Sequence, residues 1–181
     1  MADPKPSLRT AIHEAGHALS MHKLGRRIVK ASVVPSEDLL GYVAHAYSII
    51  RKGDDPEWHL TPRLQRRIEE AIIVCLAGPA AELHHLGGVV DDEYEGGGSD
   101  DRRKALMLAD LVSGGDLEQS EKYLAWLQYR AEALVTSDQS WVVVSALADR
   151  LLQQREMSGP QVKRAIYDSY AELIRQATSS V

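Results

Sequence analysis

In the stretch Ala11-Ile12-His13-Glu14-Ala15-Gly16-His17-Ala18-Leu19, two imidazoles and a carboxylate fall into the pattern H-E-x-x-H. On an α-helix, positions four apart share a face, so His13 and His17 can direct both rings at one metal ion. Imidazole nitrogen suits zinc, and a centre with three protein ligands keeps a fourth position open for water. Glu14 then projects beside that water, where it can take up a proton. The chemistry such a trio supports is hydrolysis by an activated water. A bare H-E-x-x-H also arises by chance on solvated helices, so its weight depends on what the rest of the chain supplies.

The elements that must position these groups are readable. Ile12, Ala15, Ala18 and Leu19 give an apolar stripe at helical spacing over about 8–24, with Thr10 as a candidate N-cap and Gly25 as a C-terminal cap. Gly16 costs about 1 kcal/mol relative to alanine in a helix interior, so it needs a packing or access reason, and close approach of another backbone beside the metal would be one. Residues 28–34 are β-branched and stop at Pro35, and 39–47 read as a second strand. Together they make a small sheet beside the motif helix, whose edge could hold an extended substrate.

A charged loop over 51–60 precedes a long helix. Thr61 caps that helix, Pro62 opens it, and Leu64, Ile68, Ala71, Ile72, Cys75 and Leu76 form its core face. Gly78-Pro79 is expected to interrupt it, with 80–83 adding a short further turn. Residues 87–101 are rich in glycine and acid and read as a loop, and Ser99 caps a helix starting at Asp100 or Asp101. Further helices are expected over 117–137, over 140–155, and after Ser158-Gly159-Pro160. The fold class is therefore mainly α (α+β). Residues 8–181 form one domain behind a short disordered lead-in, 1–7.

Composition narrows the function. Among 181 residues, 21 Lys and Arg are interspersed with 26 Asp and Glu for a net charge of -5, and no basic patch suggests nucleic acid. No apolar run of about 18 residues predicts a transmembrane helix, and the N-terminus has no signal core. No phosphate-binding glycine loop is found, so no nucleotide-hydrolysing module is expected in this stretch. The lone Cys75 sits in an apolar run and reads as a buried small hydrophobe, compatible with a reducing cytoplasm. Trp58, Trp126 and Trp141 read as packing residues, and His22, His45, His59, His84 and His85 as ordinary surface or packed histidines.

Catalytic zinc needs a third protein ligand. No histidine follows at the metzincin spacing, which leaves Glu82 at the end of the apolar helix, or Asp100 and Asp101 at the start of a later one. A carboxylate in an apolar helix needs a reason to be there, and one opening a helix gains from the dipole. The residues alone leave these three open.

Five segments in order resemble the peptidase domain of the FtsH-type ATP-dependent zinc proteases. They are His13 to Leu19, Val33-Val34-Pro35, Leu40-Gly41-Tyr42, Leu76-Ala77-Gly78-Pro79-Ala80-Ala81-Glu82-Leu83, and Gly97-Gly98-Ser99-Asp100-Asp101. The helical tail is similar too, so the resemblance covers nearly the whole chain. It implies zinc held by His13, His17 and Asp101, with Glu14 as general base. Glu82 matches a family glutamate near the site and would orient a ligand histidine. Asp100 stands where the family usually has asparagine and remains the alternative ligand. Pro79 replaces a basic residue of the family, and Ser36-Glu37 replaces a common Arg-Gly.

The expectation is thus a zinc metalloendopeptidase acting on unfolded or short polypeptides. The family's ATPase module is missing, so ATP dependence would come only through a separate AAA+ ATPase, and a homo-oligomer is implied by resemblance. The competing expectation is a non-catalytic, zinc-stabilised interaction module that works with such an ATPase.

Overall fold

The first helix begins at a hydroxyl. Ser7 accepts a hydrogen bond from the Thr10 amide and caps α1, Leu8–Lys23, at 3.0 Å. Thr10 therefore lies one turn inside the helix it was expected to cap, and Ser7 does not belong to the lead-in. At the other end Gly25 takes φ +67°, and the Arg26 amide returns to the Met21 carbonyl at 2.8 Å. That pairing satisfies carbonyls the helix leaves orphaned. This computed structural model describes residues 6–35, 40–45, 48–56, 59–88 and 98–179. The remaining expectations on 1–5, Ser36-Glu37, Leu39, Ala46-Tyr47, Trp58 and the loop 89–97 lie outside the described residues.

After α1 come β1, Ile28–Ser32, and β2, Tyr42–His45, paired antiparallel with Ala31 opposite Val43. β1 ends before Val33 and Val34, which its apolar run had included, and β2 begins only at Tyr42, after Leu40 and Gly41. Then follow α2, Pro62–His85; α3, Gly98–Ser113; α4, Leu117–Thr136; and α5, Asp138–Gln154. A third strand not anticipated from sequence, β3, Glu156–Ser158, joins α5 to α6, Gly159–Ser179. It pairs with β1 through Ala31 and Met157, giving the strand order β2-β1-β3. Arg155 turns the chain into it at φ 62°, and its carbonyl accepts from the Val33 amide at 2.9 Å. The described residues are mainly helical with this one small sheet.

α2 is the axis of the fold. One cluster of buried side chains joins its C-terminal half to α1, α5, α6 and the sheet, with Leu19, Ala81, Leu147, Met157 and Ile166 at its centre. A second joins its N-terminal half to α3 and α4 through Leu64, Ile68, Ile72, Ala105 and Leu127. Thr61 caps α2 and Pro62 opens it, as its sequence implies. Pro79 does not break it. Proline removes one amide donor, yet the residues around it, Ala77, Gly78, Ala80 and Ala81, are buried, so packing holds the helix through the defect. α3 likewise starts earlier than expected, which places Ser99 inside its first turn rather than at its cap.

Gly16 has a packing reason for its place in a helix. A Cβ there would lie 2.6 Å from the Ala77 carbonyl oxygen and 2.8 Å from Ala81 Cβ, so glycine sets how closely α1 approaches α2. Replacing Gly16 with valine should lower stability by about 1–3 kcal/mol through overpacking, read as a lower urea midpoint at unchanged slope. An unchanged midpoint would mean the two helices are not in such contact.

Candidate metal centre

His13 and His17 lie on the buried face of α1, and Asp101 on the first turn of α3 turns inward to meet them. His13 Nε2 and His17 Nε2 are 3.0 Å apart, and each is 3.1 Å from Asp101 Oδ2. The histidine pair is T-shaped, with ring centroids 4.7 Å apart. These three residues form the candidate metal-binding group among the described residues. Of the two neighbouring acids, Asp101 enters the site at 15% side-chain exposure, whereas Asp100 is 56% exposed and pairs with Arg103. Asp100 is therefore not a ligand in this arrangement. Glu82 is not one either: it sits behind His13.

The far nitrogens of the rings explain why the near ones converge. His17 Nδ1 donates to the Val74 carbonyl at 2.7 Å, a partner that can only accept. His13 Nδ1 donates to Glu82 Oε2 at 3.0 Å. Glu82, 3% exposed, also accepts from Arg9 Nε. Burial disfavours its charge, but the hydrogen bonds from His13 and Arg9 outweigh this and hold its carboxyl below the usual range. With both Nδ1 atoms donating, neutral rings turn two Nε2 lone pairs toward each other and toward a carboxylate oxygen. That junction calls for a cation.

Asp101 ionises readily in this setting. Burial opposes its charge, yet its contacts with His13 and His17 keep its carboxyl far below the ordinary value. Burial also works against a charged His13, but its contacts with Asp101 and Glu82, with the charge of Glu14, push it up to about 9. A proton can thus hold the place of a metal. The donor set fits zinc well: corners of a tetrahedron with zinc–nitrogen bonds of about 2.0 Å lie about 3.3 Å apart, slightly wider than the separations here.

Glu14 is beside the donors, within reach of their charges, but makes no hydrogen bond with them. Its Oε2 is buried with no hydrogen-bond partner among the described residues. Burial raises its pKa, against the pull of charges on His17 and His13. All four groups open onto one cleft of about 720 Å³, walled by Tyr42 and Val43 of β2 on one side and Lys104 of α3 on another.

Three supporting residues escaped the sequence reading. Arg9 is one helical turn before His13, so the spacing rule that paired the histidines also puts Arg9 above Glu82. Gly78 reads locally as a break; a Cβ there would overlap the His17 ring, so the glycine makes room for that imidazole. The Val74 carbonyl has no side-chain signature. The other histidines stay apart from the cluster: His22 packs on Tyr167, His84 on Trp141, and His45 is exposed on β2. Trp141 does pack on the core, but Trp126 is 50% exposed against Arg130, correcting its expected role. Cys75 lines the cleft, only partly buried, and burial pushes its thiol up to about 12.

No known family model matches the chain, and no curated protein matches it.

Zinc titration should discriminate the acids. Asp101→Asn should abolish tight binding, Glu82→Gln should weaken it about 10–100-fold, and Asp100→Asn should leave it unchanged. Equal affinity in the Asp101 and Asp100 variants would rule out this ligand set. Chelation of zinc at 100–1,000 times its Kd should cost about 3–4 kcal/mol of stability, seen as a lower melting temperature.

Proposed function

We propose that this chain is a zinc metalloendopeptidase similar to the FtsH-type peptidase domain. The observation that carries the reading is the meeting of His13, His17 and Asp101 beside a buried glutamate with an unpartnered oxygen. His13, His17 and Asp101 would hold the metal. Zinc in such a centre supplies Lewis acidity, polarising a carbonyl and lowering the pKa of water to about 7.

The chain's own groups do the rest. Glu14 takes the proton of the attacking water on its carboxylate and passes it to the leaving amine nitrogen. Burial raises its pKa, which makes the carboxylate a stronger base for the first half of that task. Val74 and Glu82 keep both Nδ1 atoms occupied, which fixes the rings. Among the described residues β2 is an edge strand, and it lines the cleft, so an extended polypeptide can pair with it while its peptide bond lies near the donors. That favours an unfolded or short chain as substrate.

An interaction module stabilised by zinc would need the three ligands but has no use for a neighbouring carboxylate whose buried oxygen has no partner among the described residues. A separate AAA+ ATPase as partner, and assembly with further copies, are carried by the order of motifs alone. No helix among the described residues is long and apolar enough to cross a membrane. A reducing, cytoplasmic setting suits the free thiol of Cys75.

Unfolded casein is the direct substrate to try. The zinc-loaded protein should cleave it, a chelator should stop cleavage, and Glu14→Gln should keep its zinc while losing about 10²–10⁴-fold in rate. Zinc bound at full occupancy with no cleavage by the unmodified protein would favour the module instead.

A further inference from the structure

Gly41 has no part in the chemistry above, yet its closest neighbour is the proposed base. It lies immediately before β2, and a Cβ built on it would fall 2.8 Å from Glu14 Oε1, 2.9 Å from Glu14 Cγ and 2.9 Å from the Ser32 carbonyl oxygen. Real Cβ atoms do not come this close, so any side chain at 41 must displace something. Ser32 resists displacement: it is paired with Tyr42 on one side and Glu156 on the other. The Glu14 carboxylate can yield, because it ends a flexible side chain and its Oε2 has no hydrogen-bond partner among the described residues.

The geometry points to Gly41 as a positioning residue for Glu14. Its bare Cα is the wall the carboxylate lies against, so packing sets the direction of the base where hydrogen bonds do not. The same residue leads directly into Tyr42, the first residue of the strand along which a polypeptide would pair. Base and substrate strand are therefore held by one piece of backbone. Misplacing a catalytic group by about 1 Å can cost about 10²-fold in rate. The catalytic consequence rests on the peptidase reading; the contact between Gly41 and Glu14 does not.

Two measurements on the zinc-loaded protein test this. In the first, Gly41→Ala should retain full zinc content, lower kcat on an unfolded polypeptide about 10–100-fold, and change KM less than about twofold. An active wild type with an equally active Gly41→Ala variant overturns the inference. So does a loss confined to KM, which would mark the residue as part of the substrate edge only.

The second measurement needs no turnover. Gly41→Ala should lower the urea midpoint in the wild-type background and lower it less in a Glu14→Ala background, where the methyl no longer meets the Glu14 side chain and only the Ser32 carbonyl opposes it. Equal losses in both backgrounds overturn the inference. If Gly41→Ala alone does not fold, the Gly41→Ala/Glu14→Ala pair should fold and bind zinc, and its failure would count against the contact. A wild type that binds zinc but hydrolyses nothing rejects the peptidase reading, and the urea cycle still decides whether Gly41 holds Glu14.

Discussion

α1 and α2 meet backbone to backbone at Gly16, where the Ala77 carbonyl and the Ala81 methyl fill the space a side chain would take. The site depends on that closeness. It brings the Val74 carbonyl within hydrogen-bond reach of His17, and it sets Glu82 behind His13. It also requires Gly78, since the His17 ring lies against the α2 backbone. Two helices at ordinary separation would leave both imidazoles free to rotate. Here each ring is fixed at its far nitrogen by a group from α2, and only the near nitrogens remain for a ligand.

The electrostatics follow from this arrangement. Glu14, Glu82 and Asp101 bring three carboxylates into a largely buried space with two imidazoles. Arg9 neutralises one of them from the rim, where it is 41% exposed, and Lys104 approaches the outer oxygen of Asp101 at 4.0 Å. Neither reaches the point where the two Nε2 atoms and Oδ2 meet. Unpaired charge in such a place is costly, and a shared cation is the economical remedy. Glu14 lies beside this junction with its Oε2 buried and without a hydrogen-bond partner among the described residues.

Local signals were sufficient wherever an element is long and periodic. The α1 stripe, the Thr61-Pro62 opening of α2 and the mainly helical class were all legible. Signals failed where tertiary contacts decide. Pro79 reads as a break because a local rule cannot see the buried neighbours that hold α2 together. β3 has three residues, too few to show alternation, and exists because β1 offers it an edge. The choice between Asp100 and Asp101 was open for a related reason: one helical step rotates a side chain by about 100°, and only the seating of α3 on α2 decides which faces inward. Motif order pointed to Asp101; the geometry gives the cause, with Asp100 turned to solvent beside Arg103.

The seating of α3 has a further consequence. Only Gly98, Ala105 and Ala109 of this helix are fully buried, while its acid lies 84 residues from His17 along the chain. A pair of histidines one turn apart exists as soon as α1 forms, and such a pair prefers copper to zinc by intrinsic affinity. The anionic oxygen arrives only after the long excursion through α2 has been closed. The three-donor group of His13, His17 and Asp101 is therefore a property of the finished tertiary structure and not of the nascent chain.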